Sequence, residues 1–259
     1  MSVKRLLVSS GIVLVAPLFL SLQANATILI DDFITVQNGE VTNSVPPTQS
    51  TGSSLATLTA IGVERDLYVE KTAGLDGERV RARVNPNGQN LLRMTIDEAR
   101  GRIVVTWDGV DGLAGPNQVN YGGLGGIDFS AETSIELLVT FSDVGGPVQL
   151  TFWDADDLTG NTFARTTLNV PGGVPSGSSV LLSTPLSSFT AFGGSLANIF
   201  SSVGAIQMTI DATAVAQEGW DARFDYLRTI RTVPEAATLG LFGLSLVGLG
   251  LVRKTRRNA

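Results

Sequence analysis

The sequence predicts an all-β protein built as a sandwich of sheets. Short apolar or alternating runs recur along residues 28–231, and Gly, Ser, Thr and Asn separate them. This pattern is typical of a sandwich or barrel and not of βαβ units. Helical signals are confined to residues 187–189 and 195–200. Residues 27–232 are expected to form one domain, since a chain of this length can enclose a single core.

The strand candidates follow one another along the whole body. Each is rich in apolar or β-branched residues and ends at turn-forming ones. Residues 40–54 are polar and include Pro46 and Pro47, so they are predicted to form a long loop, and residues 110–126 form a second, glycine-rich loop. The predicted strands are residues 28–36, 55–61, 65–70, 79–84, 90–96, 102–107, 133–142, 147–153, 161–170, 178–183, 203–211 and 220–231.

Side-chain alternation gives the register of three strands. Trp107 shares a face with Ile103 and Val105 and is therefore predicted to be buried. Phe152 points inward, which places Trp153 on the outward face unless a second layer covers it. In the last strand one face is predicted to carry Trp220, Ala222, Phe224 and Tyr226.

Four short motifs give the body a resemblance to a known fold. The first strand ends in Asp31-Asp32-Phe33, and residues 126–130 lead into the apolar strand 135–139. A turn at 185–189 and a short helical segment precede the strand 205–210, and residues 224–227 close the sheet. Together these segments resemble the galactose-binding-like jelly roll of many carbohydrate-binding modules. The resemblance implies a jelly-roll β-sandwich in which the first and last strands meet.

The N-terminus has the three parts of a secretory signal peptide. Lys4 and Arg5 give a positive start, residues 6–22 are apolar, and Ala24-Asn25-Ala26 is an A-x-A cleavage site. Cleavage after Ala26 is expected, with an uncleaved N-terminal anchor as the alternative. The small residues at the site and Pro17 favour cleavage.

The C-terminus, residues 233–259, also has three parts. Val233, Pro234 and Glu235 precede an apolar run over residues 236–252, which is about the length of a short membrane-spanning helix. This order resembles the PEP-CTERM sorting signal of Gram-negative bacteria, although Ala236 stands where that family usually has a second proline. The resemblance implies processing by an exosortase-type membrane protease; the alternative is an uncleaved tail anchor. The basic cluster that follows the run, which positive-inside bias places in the cytoplasm, is Arg253, Lys254, Arg256 and Arg257.

Composition limits the chemistry of the body. Residues 27–234 contain 12 Lys and Arg against 23 Asp and Glu, a net formal charge of −11. A surface this acidic repels phosphate backbones, so nucleic acid is not an expected partner. The chain has no Cys and no His. It therefore forms no disulfide, has no conventional zinc site, and cannot use a Ser-His-Asp or Cys-His mechanism.

A cation site is expected because acidic oxygen ligands suit Ca²⁺. The jelly-roll resemblance implies a structural Ca²⁺ where the first and last strands meet, with Asp31, Asp32 and Asp225 as ligands. The alternative is that these three are solvated residues at the sheet surface. No other cofactor is expected.

The candidate glycan site combines an aromatic ring with acceptors. Trp153 would stack on a sugar ring while Asp154 and Asp156 accept hydrogen bonds from its hydroxyl groups, and Tyr121 in the glycine-rich loop would line the groove. The alternative for residues 154–160 is an acidic turn. It is not an EF-hand, because Arg165 stands at the twelfth position, where glutamate is required.

Two further sets of charged residues each have both a possible functional role and a purely structural explanation. Glu132 and Glu136 could form the carboxylate pair of a glycosidase, but acidic β-proteins often offer such pairs. Arg79, Arg81 and Arg83 lie on one strand face. They could bind an anionic polysaccharide, or form a solvated face that protects an edge strand.

We therefore expect an exported, non-enzymatic protein of the cell surface or extracellular matrix. It would pass through the inner membrane during sorting and bind glycans weakly, with membrane, exosortase and extracellular polysaccharide as partners. The alternatives are a glycan-active enzyme that uses only carboxylates and a structural domain that remains tethered to the membrane.

Overall fold

A computed structural model describes residues 27–43, 45, 48–214 and 219–231. Within this range the chain forms two antiparallel sheets, which confirms the predicted all-β jelly-roll sandwich. Residues 25–232 make up one compact unit. The predicted signal peptide and C-terminal helix lie outside the described residues.

The strands are numbered in chain order and divide between sheets A and B. Sheet A follows the order β11-β8-β14-β6-β5-β2, with β1 also paired to β14. The strands of sheet A are β1 (Leu29–Asp31), β2 (Gln37–Val41), β5 (Arg79–Val84), β6 (Leu92–Asp97), β8 (Ser134–Ser142), β11 (Val180–Pro185) and β14 (Asp221–Ile230).

Sheet B follows the order β12-β10-β9-β13-β7-β4-β3. The short helix α1 (Leu196–Ser201) begins at Ser195, whose hydroxyl accepts a hydrogen bond from the Asn198 amide. Tight 3-10 turns cover Ile61–Val63, Pro86–Gly88 and Leu186–Ser188. The strands of sheet B are β3 (Gln49–Ala56), β4 (Glu64–Ala73), β7 (Arg100–Trp107), β9 (Gly146–Asp154), β10 (Phe163–Val170), β12 (Thr190–Phe192) and β13 (Val203–Ala212).

The core lies between the sheets. Trp107 is fully buried, as its alternation predicts, and so is Trp220. Phe152 packs edge-to-face against Phe129 and against Phe200 of α1, with ring centroids 5.7 and 5.6 Å apart. These contacts attach α1 to the sandwich.

Two expectations about strands were wrong. Residues 40–54 are not one loop, because β3 starts at Gln49 and pairs with β4 as the outer strand of sheet B. Its polar sequence suits an edge, where one side faces water. In β14 the register shifts between Phe224 and Leu227, so Leu227 is buried and Tyr226 does not continue the inner face. A bulge of this kind reverses the alternation that follows it.

Candidate functional site

Asp31 lies in the core and not at a solvent-accessible site. Arg65 of β4 donates to both carboxylate oxygens, at 3.1 and 3.0 Å, and both side chains are fully buried. The indole Nε1 of Trp107 donates to Oδ2 at 2.9 Å, and the Phe33 amide donates to Oδ1 at 2.8 Å. The structure thus gives Asp31 a role that was not predicted: it joins β1 of sheet A to sheet B by a buried ion pair.

The other two predicted calcium ligands lie at the surface of the sandwich. Burial and the nearby charge of Asp32 raise the pKa of Asp225. Asp32 Oδ1 accepts a hydrogen bond from the Ile34 amide. Asp31 points into the core, and these three residues do not form a carboxylate cluster close enough to share one ion. A cation held by Asp32 and Asp225 stays a prediction.

The predicted sugar platform at Trp153 is covered. Its side chain is only 8% exposed, because Tyr121 packs over it with ring centroids 5.6 Å apart. The glycine-rich loop is the second layer that alternation within β9 could not reveal. Asp154 is buried and accepts the Asp156 amide at 3.0 Å, while Asp156 is exposed. These residues form the acidic turn of the alternative interpretation, and a ligand role for them stays a prediction.

The two glutamates of the glycosidase hypothesis have partners. Arg228 donates to Glu136 Oε2 from Nε and Nη2, at 3.0 and 2.8 Å. The hydroxyl of Thr229 donates to Glu132 Oε2 at 2.7 Å. Glu136 thus links β8 to β14 through Arg228, and Glu132, just before β8, contacts β14 through Thr229.

The outer face of sheet A carries a row of three arginines that the sequence did not predict. Arg83 of β5 lies directly opposite Arg93 of β6, and Arg93 lies directly opposite Arg223 of β14. We call Arg83, Arg93 and Arg223 the arginine row. Asn38 continues it on β2 and Phe141 on β8, so the line crosses five strands, about 19 Å.

The arginine row is short of counter-charges. Among the described residues, no carboxylate lies within ion-pair distance of any of its three members, whereas Arg79 and Arg81 on the same strand face have Glu40 or Asp97 as partners. Arg93 has a counter-charge at longer range in Asp221 of β14, whose carboxylate it stabilises. Like charges directly opposite each other destabilise a sheet. Burial and the neighbouring guanidinium groups of Arg83 and Arg79 lower the pKa of Arg81. Cations are therefore crowded on this face of an acidic protein.

Two open clefts flank the hairpin loop between β5 and β6 on this face. One, of about 530 Å³, is lined by Leu91, Leu138, Arg223 and Asp225 with a serine-rich turn at 176–179. The other, of about 470 Å³, includes Asn38, Glu40, Arg81 and Arg83. The arginine row runs from one cleft to the other.

The hairpin loop that separates the clefts is fixed by Asn85. Its backbone amide donates to the Leu91 carbonyl at 2.8 Å, and its Oδ1 accepts the Asn90 amide at 2.9 Å. Asn85, Asn87 and Asn90 all have φ between 50° and 58°. Asparagine tolerates this left-handed backbone better than most residues, so the sequence Asn-Pro-Asn-Gly-Gln-Asn suits a tight, closed loop.

The outer face of sheet B carries the opposite charge. Glu64 and Asp66 of β4 lie near Asp108, which follows β7, and near Asp111 in the glycine-rich loop. We call these four residues the acidic cluster. Glu64, Asp66 and Asp108 are buried under the glycine-rich loop. Burial first, and the neighbouring carboxylates second, raise the pKa of Asp66 to about 8 and that of Asp108 to about 6.

Two sequence signals could have indicated the acidic cluster. Glu64 and Asp66 alternate on one strand face, and Asp108-Gly109-Val110-Asp111-Gly112 combines acids with turn residues at the end of another strand. What the sequence alone does not give is that β4 pairs with β7, which brings the two signals together.

The C-terminal signal is identified by a family comparison. Residues 232–257 match the family model described as the PEP-CTERM protein-sorting motif, which confirms the predicted resemblance and indicates an exported protein. The predicted sorting residues, Val233 to Glu235 and Arg253 to Arg257, fall in this range but lie outside the described residues. Within the described part of the chain, no helix has the length and hydropathy needed to cross a bilayer.

Solved structures similar to the body include carbohydrate-binding modules, as the sequence resemblance implied. A family 11 module from Clostridium thermocellum with a β-1,3-1,4-linked tetrasaccharide is 10% identical, with a TM-score of 0.39, over 81% of this chain and 98% of that chain. A family 61 module with β-1,4-galactotriose is 11% identical, with a TM-score of 0.29, over 74% and 92%. Likenesses this distant do not by themselves indicate a shared ligand. The comparison with curated proteins finds no match.

Proposed function

We propose that this protein is exported, is sorted at the inner membrane through its PEP-CTERM motif, and binds an anionic polysaccharide at the cell surface or in the extracellular matrix. The binding surface is the outer face of sheet A. The observation that carries the proposal is the arginine row, which forms no ion pair with a carboxylate in the described part of the chain and connects two open clefts.

The chemistry of the row fits a carboxylated sugar chain. A guanidinium group presents a planar fork of donors that matches a carboxylate. The three arginines are spaced by one strand separation each, about 4.8 Å, so an extended polymer can contact them in sequence. Leu91 and Leu138 in the neighbouring cleft offer apolar contact to the faces of sugar rings.

The shape of the site also favours a polymer. A small-molecule site usually encloses most of its ligand, whereas both clefts here open along the sheet. An extended chain can enter one cleft, cross the arginine row and leave through the other. Duplex nucleic acid, with about one charge per 1.7 Å, would meet strong repulsion from a body of net charge −11. A polysaccharide with at most one carboxylate per sugar has a lower charge density and would be repelled less strongly.

We propose no catalytic step. Glu132 and Glu136 are held by Thr229 and Arg228, and a glycosidase needs two acids that flank a scissile bond in a cleft. Neither glutamate lines the two clefts described above. The carboxylate-only enzyme remains the alternative. Incubating the protein with the polysaccharides it binds and measuring released reducing ends would reveal it.

Affinity electrophoresis of the purified full chain tests the binding proposal. Gels containing polygalacturonate or alginate should retard the protein, and gels containing dextran should not. Arg93→Gln should weaken retention about tenfold, the loss expected for one charge-assisted hydrogen bond. The matched control is Arg102→Gln, which removes an arginine paired with Glu70 from the outer face of sheet B.

Two results would overturn the binding proposal. Equal retention by charged and neutral polymers would remove the role of charge. An equal loss of retention in Arg93→Gln and Arg102→Gln would show that only the net charge matters and not the arginine row.

Sorting is tested separately, by mass spectrometry of tryptic peptides from the secreted fraction of the native host. Body peptides that end near residues 233–237 would support cleavage and release. Peptides that continue past Val252 would support permanent tethering of the domain to the membrane.

A further inference from the structure

The acidic cluster is built from separate parts of the chain that converge at one place. Carboxylate oxygens of Glu64, Asp66 and Asp111 all lie within 4.8 Å of one another. Asp108 adds a fourth carboxylate, within hydrogen-bonding reach of Asp66. Since β4 and β7 are adjacent and antiparallel, the Asp66–Thr106 pairing places Asp108 beside Glu64. Four acidic groups therefore meet under one loop.

Most of the hydrogen bonds in the cluster hold the glycine-rich loop to sheet B. Glu64 Oε1 accepts the amides of Asp111 and Gly112, both at 3.0 Å. Asp108 Oδ2 accepts the Asn120 amide at 2.7 Å. Gly123 allows this close approach, because a Cβ there would lie 1.6 Å from the Asp108 carbonyl oxygen.

Two carboxylate oxygens in the cluster receive no hydrogen bond from an N–H or a hydroxyl group. Asp66 is 3% exposed and Asp108 is 1% exposed, yet Asp66 Oδ2 and Asp108 Oδ1 have no such donor among the described residues. The two carboxyl groups lie within hydrogen-bonding reach of each other, so either a shared proton or a cation must offset their charges. No Lys or Arg forms an ion pair with any of the four acids in the described part of the chain. Burying such oxygens without a partner is costly. By contrast, both carboxylate oxygens of the buried Asp31 accept hydrogen bonds.

We propose that the acidic cluster binds a calcium ion, which fastens the glycine-rich loop to the outer face of sheet B. Calcium takes six to eight oxygen ligands in flexible geometry. Glu64, Asp66, Asp108 and Asp111 supply carboxylate oxygens, and the loop has backbone carbonyls to complete the set. Magnesium is less suited, since it requires near-ideal octahedral geometry and gives up its water reluctantly.

This site is distinct from the calcium site that the sequence predicted at Asp31, Asp32 and Asp225. Those residues belong to β1 and β14 of sheet A or to the segment after β1, whereas the acidic cluster belongs to β4 and β7 of sheet B and to the loop. It is also separate from the arginine row, so its test does not depend on polysaccharide binding.

Calorimetric titration of the metal-free full chain with CaCl₂, beside thermal melting, tests the proposal. One calcium ion should bind, and at a free concentration of about 100 times Kd the melting temperature should rise by about 5–10 °C. The double variant Asp66→Asn/Asp108→Asn should lose binding by about 100-fold or more and show no calcium-dependent shift. The control Asp76→Asn, an exposed acid in the turn after β4, should bind calcium as the parent does.

Four other results would contradict the proposed calcium site. If the double variant folds and binds calcium like the parent, the acidic cluster is not the site. Loss of binding in Asp32→Asn/Asp225→Asn alone would restore the site predicted from sequence. If MgCl₂ shifts the melting temperature as much as CaCl₂ does, the assignment of calcium is wrong. No heat and no shift with 5 mM CaCl₂, a concentration on the order of that suited to weak extracellular sites, would end the proposal.

Discussion

The two sheets of this protein present outer faces of opposite charge and opposite solvent access. On sheet A three half-buried arginines lie side by side on a face that no loop covers completely. On sheet B three buried acids lie under the glycine-rich loop and meet a fourth, Asp111, from the loop itself. Strand alternation alone would place both sets in water. The loop makes the difference, because it covers one face and leaves the other open.

Crowding of like charges has a different consequence on the two outer faces. In water, repulsion between neighbouring charges is screened and costs tenths of a kcal/mol. Under a loop it is stronger, and each unpartnered oxygen adds a desolvation cost. The arginine row can therefore remain charged without a ligand and is available to bind an external anion. The buried cluster is expected to take up a proton or a cation within the fold.

The largest effect is expected where a buried carboxylate already has a cation. Removing Arg65 leaves the Asp31 carboxylate buried without a cation, so Arg65→Ala should lower the free energy of unfolding by about 3–5 kcal/mol. Arg102→Ala, which breaks a partly exposed pair with Glu70, should cost less than about 1 kcal/mol. Urea denaturation of the full chain measures both. Similar costs would show that burial is not what separates the charged sites of this protein.

The stability of the metal-free protein should depend on pH through the acidic cluster. The pKa of Asp66, raised to about 8, and that of Asp108, raised to about 6, exceed the unfolded value of about 3.9. Between pH of about 4 and 8 the folded protein therefore binds more protons than the unfolded chain. Its stability without metal should fall as pH rises through this window, by at most about 1.4 kcal/mol per pH unit for each proton.

Stability measured in EDTA from pH 4 to 9 checks this. Asp66→Asn should flatten the profile, and the exposed control Asp76→Asn should leave it unchanged. Saturating calcium should also reverse the fall. A profile of the parent that rises between pH 5 and 8 would mean that the two carboxylates are ionised without penalty, against the expected difference between the two faces.

Alternation predicted the outward arginines of β5 but not the arginine row. The burial of Val80, Ala82 and Val84 follows directly from the sequence of that strand. Arg223 joins Arg83 and Arg93 only because β14 returns beside β6, and no local pattern fixes a pairing over such a distance. Alternation likewise assigns Trp153 to the outward face unless a second layer covers it, and it cannot reveal that layer, because the loop that covers Trp153 belongs to a different part of the chain.

The polar strand β3 shows a second limit of sequence reasoning. Its residues have intermediate or high exposure, so they lack the apolar face from which strands are predicted. The fold class and the burial of Trp107 depend on strong local patterns and were therefore predictable. The ion pair of Asp31 with Arg65, which joins the sheets, was not.

The smallest effect is expected in the open row. Arg93→Gln relieves the repulsion of Arg93 by Arg83 and Arg223 but also loses its attraction to Asp221, so it should raise the free energy of unfolding by less than about 0.5 kcal/mol at low salt. Arg228→Gln removes the partner of Glu136 and should lower it by about as much. Thermal melting should show both differences shrinking in 1 M salt, where the screening length is about 3 Å. If Arg93→Gln is destabilising, the attraction of Arg93 to Asp221 outweighs the repulsion within the row.

Mapping a uronic-acid oligosaccharide onto the protein by backbone-amide NMR shifts tests the proposed function most directly. We predict that titration with an oligogalacturonate shifts amides of β5, β6 and β14 around Arg83, Arg93 and Arg223, together with the hairpin loop over residues 85–91. Shifts confined to Trp153, Tyr121 and the acidic turn, or no shifts with any anionic oligosaccharide, would contradict it.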